Sequence, residues 1–209
     1  MAKIKFLLGT PVHDKKEYSM YKFLDSVKDY DLPGLYVYIV DNSDTVDFSQ
    51  RIEDYCEKIK LKDCRVVHLA GMSGLEQEAR LAKARDNIRD YMLTGDCTHW
   101  LSVESDIILP PRAPRKLLPF LEQFKFINNF YPDRVDPNIE LSGLGFTIVA
   151  RELMEKFDFS QGGGYGQCDD LVPNCYYSND SWFVVRVRRA GYATVDFHGL
   201  VGGIRHLAD

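Results

Sequence analysis

Trp100-Leu101-Ser102-Val103-Glu104-Ser105-Asp106 is the stretch on which the reading of this chain turns. It runs from an apolar tetrad into two carboxylates one residue apart, and Ile107-Ile108-Leu109-Pro110-Pro111 follows. The pattern is that of a buried strand whose C-terminal end carries the acids. Side chains alternate along a strand, so Glu104 and Asp106 share a face if the extended geometry persists. Two like charges at the rim of a core are costly unless a cation lies between them. A hard divalent ion with oxygen ligands, bridging to phosphates, accounts for such a pair. Two ordinary acids on a solvated strand end account for it equally well.

Working outward, strand and helix patterns alternate. Residues 3–8 read as a strand. Asp14-x-x-Glu17 has the form of a capping box and opens a helix to about Lys28, with Met20, Leu24 and Val27 on one face. Leu35-Tyr36-Val37-Tyr38-Ile39-Val40 is a continuous apolar run, typical of a buried parallel strand. Helical sequence over 48–59 and a short strand over 65–69 follow. Ser73-x-x-Glu76, a second capping-box pattern, opens a long helix to about Met92 that leads to the strand at 98–103. Residues 114–124 read as helix, 144–149 as strand, 150–157 as a short helix, 180–190 as helix and 193–197 as a last strand. Ser160–Ser178, rich in Gly, Asp and Tyr, reads as a long loop; its Gly162-Gly163-Gly164-Tyr165-Gly166 run is either plain flexibility or a gate over substrate.

This alternation predicts βαβ units in a single α/β domain, Rossmann-like, with a mostly parallel central sheet flanked by helices. Such sheets bind ligands beyond the carboxyl ends of their strands. Three predicted strands end in polar groups: Gly9-Thr10-Pro11, Asp41-Asn42-Ser43 and Glu104-Ser105-Asp106.

The chain has 209 residues, enough for one domain with a substantial core. Its net charge of −5, from 26 Lys plus Arg against 31 Asp plus Glu, argues against a nucleic-acid-coating protein. No stretch approaches the length of a membrane span. Met1-Ala2-Lys3-Ile4-Lys5-Phe6-Leu7-Leu8 lacks a long apolar region and a cleavage site, so it reads as a first strand and not a signal peptide. The five cysteines, Cys56, Cys64, Cys97, Cys168 and Cys175, form no Cys-x-x-Cys pair, so they read as free thiols of a cytoplasmic protein.

The first strand-to-helix turn, Gly9-Thr10-Pro11-Val12-His13-Asp14, fails the Gly-x-Gly-x-x-Gly pattern of dinucleotide binders, and no Gly-Lys-Ser/Thr phosphate loop occurs. With both phosphate cradles missing, a nucleotide would need a metal to hold its diphosphate, and the Glu-x-Asp pair supplies one.

At this point the chain resembles a glycosyltransferase of the GT-A fold, close to the large inverting group called family 2. The likeness covers nearly the whole chain. Phe6-Leu7-Leu8-Gly9-Thr10-Pro11 resembles the first strand and the loop that wraps the nucleotide. Val40-Asp41-Asn42-Ser43 resembles the second-strand end that reads the base. Lys83-Ala84-Arg85-Asp86-Asn87 is similar to the helix before the metal motif, and Trp100–Asp106 to the Asp-x-Asp strand. Leu144–Leu153 resembles the strand and helix before the acceptor loop. Asn179-Asp180-Ser181-Trp182-Phe183, Arg188-Arg189-Ala190-Gly191-Tyr192 and His206 are similar to the family's Glu-Asp pair, its Gly-Tyr helix end and its C-terminal histidine. Two positions depart: Glu104 stands where Asp is usual, and Asn179 where Glu is common.

The resemblance implies a nucleotide-diphosphate-sugar donor, UDP- or GDP-linked with UDP favoured, an Mn2+ or Mg2+ ion and inversion at the anomeric carbon. It also implies a nucleotide-sugar half over about 1–106 and an acceptor half over about 107–209. Asp106 would be a direct metal ligand, Glu104 a ribose, outer-shell or metal contact, and His206 a second ligand or phosphate contact, with His13 and His198 as alternatives. Thr10 and Pro11 would line the nucleotide loop. Asp41 would accept from a base N–H, or merely start its loop. Arg85 would approach the nucleotide or the acid cluster, or form an ion pair within its helix. Arg205 would bind phosphate. Asp180 would be the general base, its pKa raised by burial near Trp182 or Tyr177, or else a helix cap; Asp169 and Asp170 are rival bases. Trp182, Tyr165, Tyr176 and Tyr177 would stack on a sugar or pack in the core. The acceptor, a carbohydrate, lipid-linked or protein hydroxyl, is open. The alternatives are a sugar-phosphate nucleotidyltransferase, which would carry a basic Gly-rich loop after the first strand, a non-catalytic nucleotide- or carbohydrate-binding module, and a structural α/β protein.

Overall fold

The computed structural model describes residues 4–160 and 178–208. The Gly162–Gly166 run, Asp169, Asp170, Tyr165, Tyr176, Tyr177, Cys168 and Cys175 lie outside the described residues. The elements, in chain order, are β1 (Phe6–Val12), α1 (Glu17–Lys28), β2 (Leu35–Asp41), α2 (Asp47–Lys58), β3 (Cys64–His68), α3 (Gln77–Thr94), β4 (His99–Val103) and β5 (Ile107–Ile108). After them come β6 (Phe126–Asn129), β7 (Tyr131–Pro132), β8 (Glu140–Leu141), β9 (Phe146–Ala150), α4 (Arg151–Lys156), α5 (Asn179–Arg189), β10 (Thr194–Phe197) and β11 (Arg205–His206). No described helix is long and apolar enough to cross a membrane.

Seven strands form one sheet in the order β10-β6-β9-β4-β1-β2-β3. All neighbouring pairs are parallel except those of β9, which runs antiparallel to both β4 and β6. The expected mostly parallel α/β sheet is therefore present. Strand alternation sorts its side chains into two apolar layers. Leu8, Ile39, Leu101 and Ile148 face α1 and α2, which contribute Phe23, Leu24, Phe48 and Ile52. Leu7, Val40, Trp100 and Val149 face α3, α4 and α5, which contribute Ile88, Leu153 and Phe183. Arg151 ties the second layer together by donating to the terminal carbonyls of α3, at Met92 (3.0 Å) and Leu93 (2.9 Å), satisfying groups a helix end leaves open.

Several boundaries differ from the sequence reading. β1 does not end at Leu8 but runs through Gly9-Thr10-Pro11 to Val12, in register with β2 from Phe6↔Leu35 to Val12↔Asp41. Proline is tolerated there because its missing N–H faces β4, whose pairing with β1 has already stopped at Gly9↔Ser102. Gly9 is required by packing. A Cβ on it would lie 2.3 Å from Ile88 Cγ2 and 2.7 Å from Trp100 Nε1, and that indole donates to the Gly9 carbonyl at 2.9 Å. Gly9→Ala is thus expected to lower the unfolding free energy by roughly 2–3 kcal/mol, seen as a lower urea midpoint with an unchanged slope.

The Ser73 box does not open α3. Gly74 takes a positive φ of 79°, which breaks a helix there, and α3 starts at Gln77. Asp14 likewise caps nothing with its side chain: His13 Nδ1 accepts from Lys15 N, and Asp14 N donates to Ser43 Oγ. Residues 114–120 form a 3-10 turn instead of an α-helix reaching 124. β6 escaped the sequence reading because its apolar run is only Phe126-Ile127 before two asparagines. Its buried Asn128 satisfies itself inside the sheet, accepting from Thr147 Oγ1 and donating to Asp196.

Candidate functional site

The C-terminal ends of β1, β2 and β4 open onto one cleft of about 510 Å³, within the range of small-molecule sites. Pro11, His13, Lys15 and Lys16 line it from the β1–α1 connection, and Asn42 and Asp44 from the end of β2. Glu78, Arg80 and Arg85 line it from α3, with Glu104, Arg134, Ser178 and Asp180 completing the wall.

Glu104 and Asp106 do converge, but not by strand alternation. β4 ends at Val103, and residues 104–107 turn, with Ile107 N donating to the Glu104 carbonyl at 2.9 Å. The two carboxylates meet at Lys16, whose Nζ lies 3.0 Å from Asp106 Oδ2 and 3.7 Å from Glu104 Oε2. Asp106 is fully buried and Glu104 partly exposed. Arg134 Nη2 and the Tyr18 hydroxyl approach Asp106 Oδ2 at 3.4 Å each. Burial alone would raise the Asp106 pKa. His206 and Lys16 outweigh it and hold the carboxyl well below the usual carboxylate range.

The far C-terminal histidine reaches this point because β11 pairs with β5, placing His206 opposite Ile107, next to the acid. Its Nδ1 lies 3.1 Å from the Pro132 carbonyl, which can only accept, so Nδ1 carries a proton. Nε2 is thereby aimed at Asp106 Oδ2, 3.4 Å away. Among the described residues, His206 Nε2 and Asp106 Oδ1 are buried without a hydrogen-bond partner. With a proton on Nε2, His206 is the cation that pairs with Asp106; with Nε2 unprotonated, its lone pair and Asp106 Oδ1 are two ligands suited to a divalent ion, so the chemistry of the pair fits one. No group of three or more His, Cys, Asp or Glu among the described residues is arranged to hold one by protein ligands alone. A two-ligand site needs its remaining oxygens from elsewhere, which a diphosphate can supply.

Asp180 sits in the first turn of α5 and also lines the cleft. The helix cap is Ser178, whose Oγ faces Ser181 N, while Asp180 Oδ1 accepts from Ser181 N at 2.9 Å and from the Ser178 hydroxyl. Burial would raise Asp180, as the sequence reading expected. The Arg85 charge and these hydrogen bonds overrule it, so its pKa is lowered. Arg85 is buried on α3, where it donates to Asn179 Oδ1 and lies 3.8 Å from Glu104 Oε1. It is the cation of the acid cluster and not a partner of its own helix. Asn179 is explained by its other contact, a 2.6 Å bond from its Nδ2 to Glu78 Oε2. A glutamate at 179 would set two carboxylates together, whereas the amide can donate to one side and accept from the other.

Five sequence candidates do not line the cleft: Asp106 and His206 lie buried behind Lys16 and Arg134, and Thr10, Asp41 and Arg205 lie elsewhere. The Thr10 hydroxyl donates to the Val103 carbonyl at 2.8 Å and is fully buried, so it knits β1 to β4. Asp41 is fully buried as well; Oδ1 accepts from Ser43 N and Oγ, and Oδ2 faces His68 Nδ1 at 3.1 Å. It shapes the loop, and the cleft-lining groups of that strand end are Asn42 and Asp44. Arg205 is exposed and points away, because it neighbours His206 on a strand and the two side chains face opposite ways. His198 pairs with Glu140 at the surface. Lys16, Arg134, Glu78 and Arg80 were missed by sequence reasoning. Arg80 binds Asp44 at 2.8 Å and the Leu75 carbonyl at 3.0 Å, fixing the start of α3 to the β2 loop. Only the concentration of Lys15-Lys16 directly after the first strand carried a signal for any of them.

No family model and no curated protein sequence matches the chain. Solved structures do. The mannosyltransferase PcManGT from Pyrobaculum calidifontis, in complex with GDP-Man and Mn2+, matches with a TM-score of 0.71 at 14% identity, over 96% of this chain and 56% of that one. TarS 1-349 from S. aureus matches with a TM-score of 0.57 at 15% identity, over 88% of this chain and 55% of that one. The same TarS segment in complex with UDP-GlcNAc matches with a TM-score of 0.52 at 17% identity, over 73% and 47%. The chain thus spans about half the length of these structures. With its sheet order, its antiparallel β9 and these likenesses in hand, the chain has the fold of the GT-A glycosyltransferases.

Proposed function

We propose that this protein transfers a sugar from a UDP- or GDP-sugar to an acceptor hydroxyl, with a divalent metal ion and with inversion at the anomeric carbon. The observation that carries the reading is the meeting of Asp106, Glu104, His206, Lys16 and Arg134 beside a cleft that Glu104, Lys16, Arg134 and Asp180 line together. Similar structures have been solved with GDP-Man and Mn2+ and with UDP-GlcNAc, which supports the same class of donor here.

Asp106 and His206 would hold the ion, with Glu104 nearby for ribose or for an outer-sphere contact. Bound there, Mn2+ or Mg2+ would offset the charge that develops on the departing diphosphate. Lys16 and Arg134 add two positive charges at the same end. In the protein alone they neutralise the acids; with donor bound they are free to turn to phosphate oxygens. Asn42, Asp44 and Pro11 line the cleft at the ends of β2 and β1 and would border the base. Asp180 accepts the acceptor hydroxyl's proton as that oxygen attacks the anomeric carbon. One base and one direct displacement give inversion. The lowered pKa keeps Asp180 ionised throughout the neutral range, so it is ready to accept at any physiological pH.

The test is turnover of a panel of UDP- and GDP-sugars with Mn2+, reading the nucleotide released and the anomeric configuration of the product. Release of the nucleoside diphosphate with an inverted product is expected. Release of inorganic pyrophosphate from a nucleoside triphosphate plus a sugar phosphate would instead make this a nucleotidyltransferase.

A further inference from the structure

Cys56 and Cys64, eight residues apart and unremarkable in sequence, meet in the fold. Cys56 lies on the buried face of α2, and Cys64, half-buried, opens β3. Their Sγ atoms are 3.6 Å apart. A disulfide is about 2.05 Å long, so bonding needs roughly 1.5 Å of further approach by two sulfurs that already face each other. The backbone between them is fixed. Leu61 N donates to the Cys56 carbonyl at 2.9 Å, and the Asp63 carbonyl accepts from Val37 N of β2 at 2.8 Å. The two thiols are thus held in register by the same contacts that hold α2 against the sheet.

We propose that Cys56 and Cys64 form a reversible dithiol–disulfide pair, a modification site that takes a low-molecular-weight disulfide as its oxidant. One protein thiolate attacks the oxidant and forms a mixed disulfide, releasing one small thiolate. The second protein thiolate then displaces the other small thiolate and closes the Cys56–Cys64 bond. The two protein thiols lose two protons and two electrons in all, and the oxidant is reduced to two thiols. The bond ties α2 to β3, the strand at the open edge of the sheet, paired only with β2. The far end of that strand carries His68, which holds Asp41 and through it the loop at Ser43. The cross-link therefore braces the side of the molecule from which Asn42 and Asp44 enter the cleft.

The experiment is incubation of the full chain with oxidised glutathione, alkylation of remaining thiols, and peptide mapping by mass spectrometry, beside thermal unfolding of oxidised and reduced samples. The expected result is a Cys56–Cys64 linked peptide, reversed by a phosphine reductant, and a Tm higher by roughly 5–10 °C in the oxidised form. Cys56→Ser should instead retain a glutathione adduct on Cys64. Wild-type protein in which both thiols stay free, carry separate glutathiones, or link to other cysteines overturns the pair. A linked peptide with no rise in Tm overturns the bracing. The wild-type map decides the chemistry even if a serine variant folds poorly.

Discussion

Asp106→Asn is expected to lower sugar transfer by about 10³-fold and to remove the metal-dependent part of nucleotide binding. Asp106 is the fully buried centre of the cluster, approached by Lys16 at 3.0 Å and by Arg134, Tyr18 and His206 at 3.4 Å. The substitution keeps the shape and deletes the charge. It therefore removes the ionised group facing His206, leaves Lys16 with Glu104 at 3.7 Å and takes away the carboxylate that Arg134 approaches. The variant should also be less stable, with a dependence on pH whose sign is fixed. A carboxyl whose folded pKa is depressed contributes stability above its unfolded value, near 4, and loses it as pH falls through the lower folded value. The stability gap between wild type and variant should be full at pH 7 and close only well below pH 4. Urea unfolding across that range measures it, while turnover at pH 7 with saturating Mn2+ measures the catalytic loss. A variant that transfers sugar at the wild-type rate would remove Asp106 from the mechanism.

Asp180→Asn is expected to behave differently: kcat falls by about 10³-fold while the KM for the donor is unchanged. The asparagine oxygen can still accept from Ser181 N, so the start of α5 keeps its hydrogen bonds. What it cannot do is take a proton. Because Arg85 and the Ser178 and Ser181 donors hold Asp180 below its ordinary value, the acidic limb it imposes on the wild-type rate should lie below about pH 4. An acidic limb nearer neutrality would belong to another group. Steady-state kinetics of both proteins from pH 4 to pH 9 tests the two statements together. A fall in donor affinity with kcat preserved would make Asp180 a binding residue and return the role of base to Asp169 or Asp170.

The sheet was legible in the sequence wherever burial on both faces produced continuous apolar runs. Leu35–Val40 and Trp100–Val103 were placed almost to the residue for that reason. β6 was not, since the buried Asn128 is satisfied by Thr147 of β9 and Asp196 of β10, which a local pattern cannot contain. The end of β1 was misplaced because Gly9 and Pro11 read as turn residues, although here one makes room for Trp100 and Ile88 and the other faces an unpaired edge.

The site divides in the same way. Glu104, Asp106, Arg85, His206 and Asp180 came from order along the chain; Glu104, Arg85 and Asp180 line the cleft, and Asp106 and His206 lie buried behind its lining residues Lys16 and Arg134. Thr10 and Asp41 came from the ends of the first two strands, where both prove buried, and Arg205 from its place beside His206, where a one-residue step along a strand turns a side chain to the opposite face. Lys16 was marked only by the Lys15-Lys16 pair after the first strand, and Arg134 by nothing. What singles them out is their closeness to Asp106 across 90 and 28 residues of chain, which no local pattern contains.

The central claim is that this cleft binds a nucleoside diphosphate through a cation held by Asp106 and His206. The most direct measurement is thermal unfolding with UDP and with GDP, each with and without Mn2+. Ligand at about 100 times its dissociation constant adds roughly 2.7 kcal/mol, which for a domain of this size raises Tm by about 5–11 °C. The account predicts a rise of that order with one nucleotide and Mn2+ together, and little with either alone. No shift with either diphosphate in the presence of Mn2+ would contradict it.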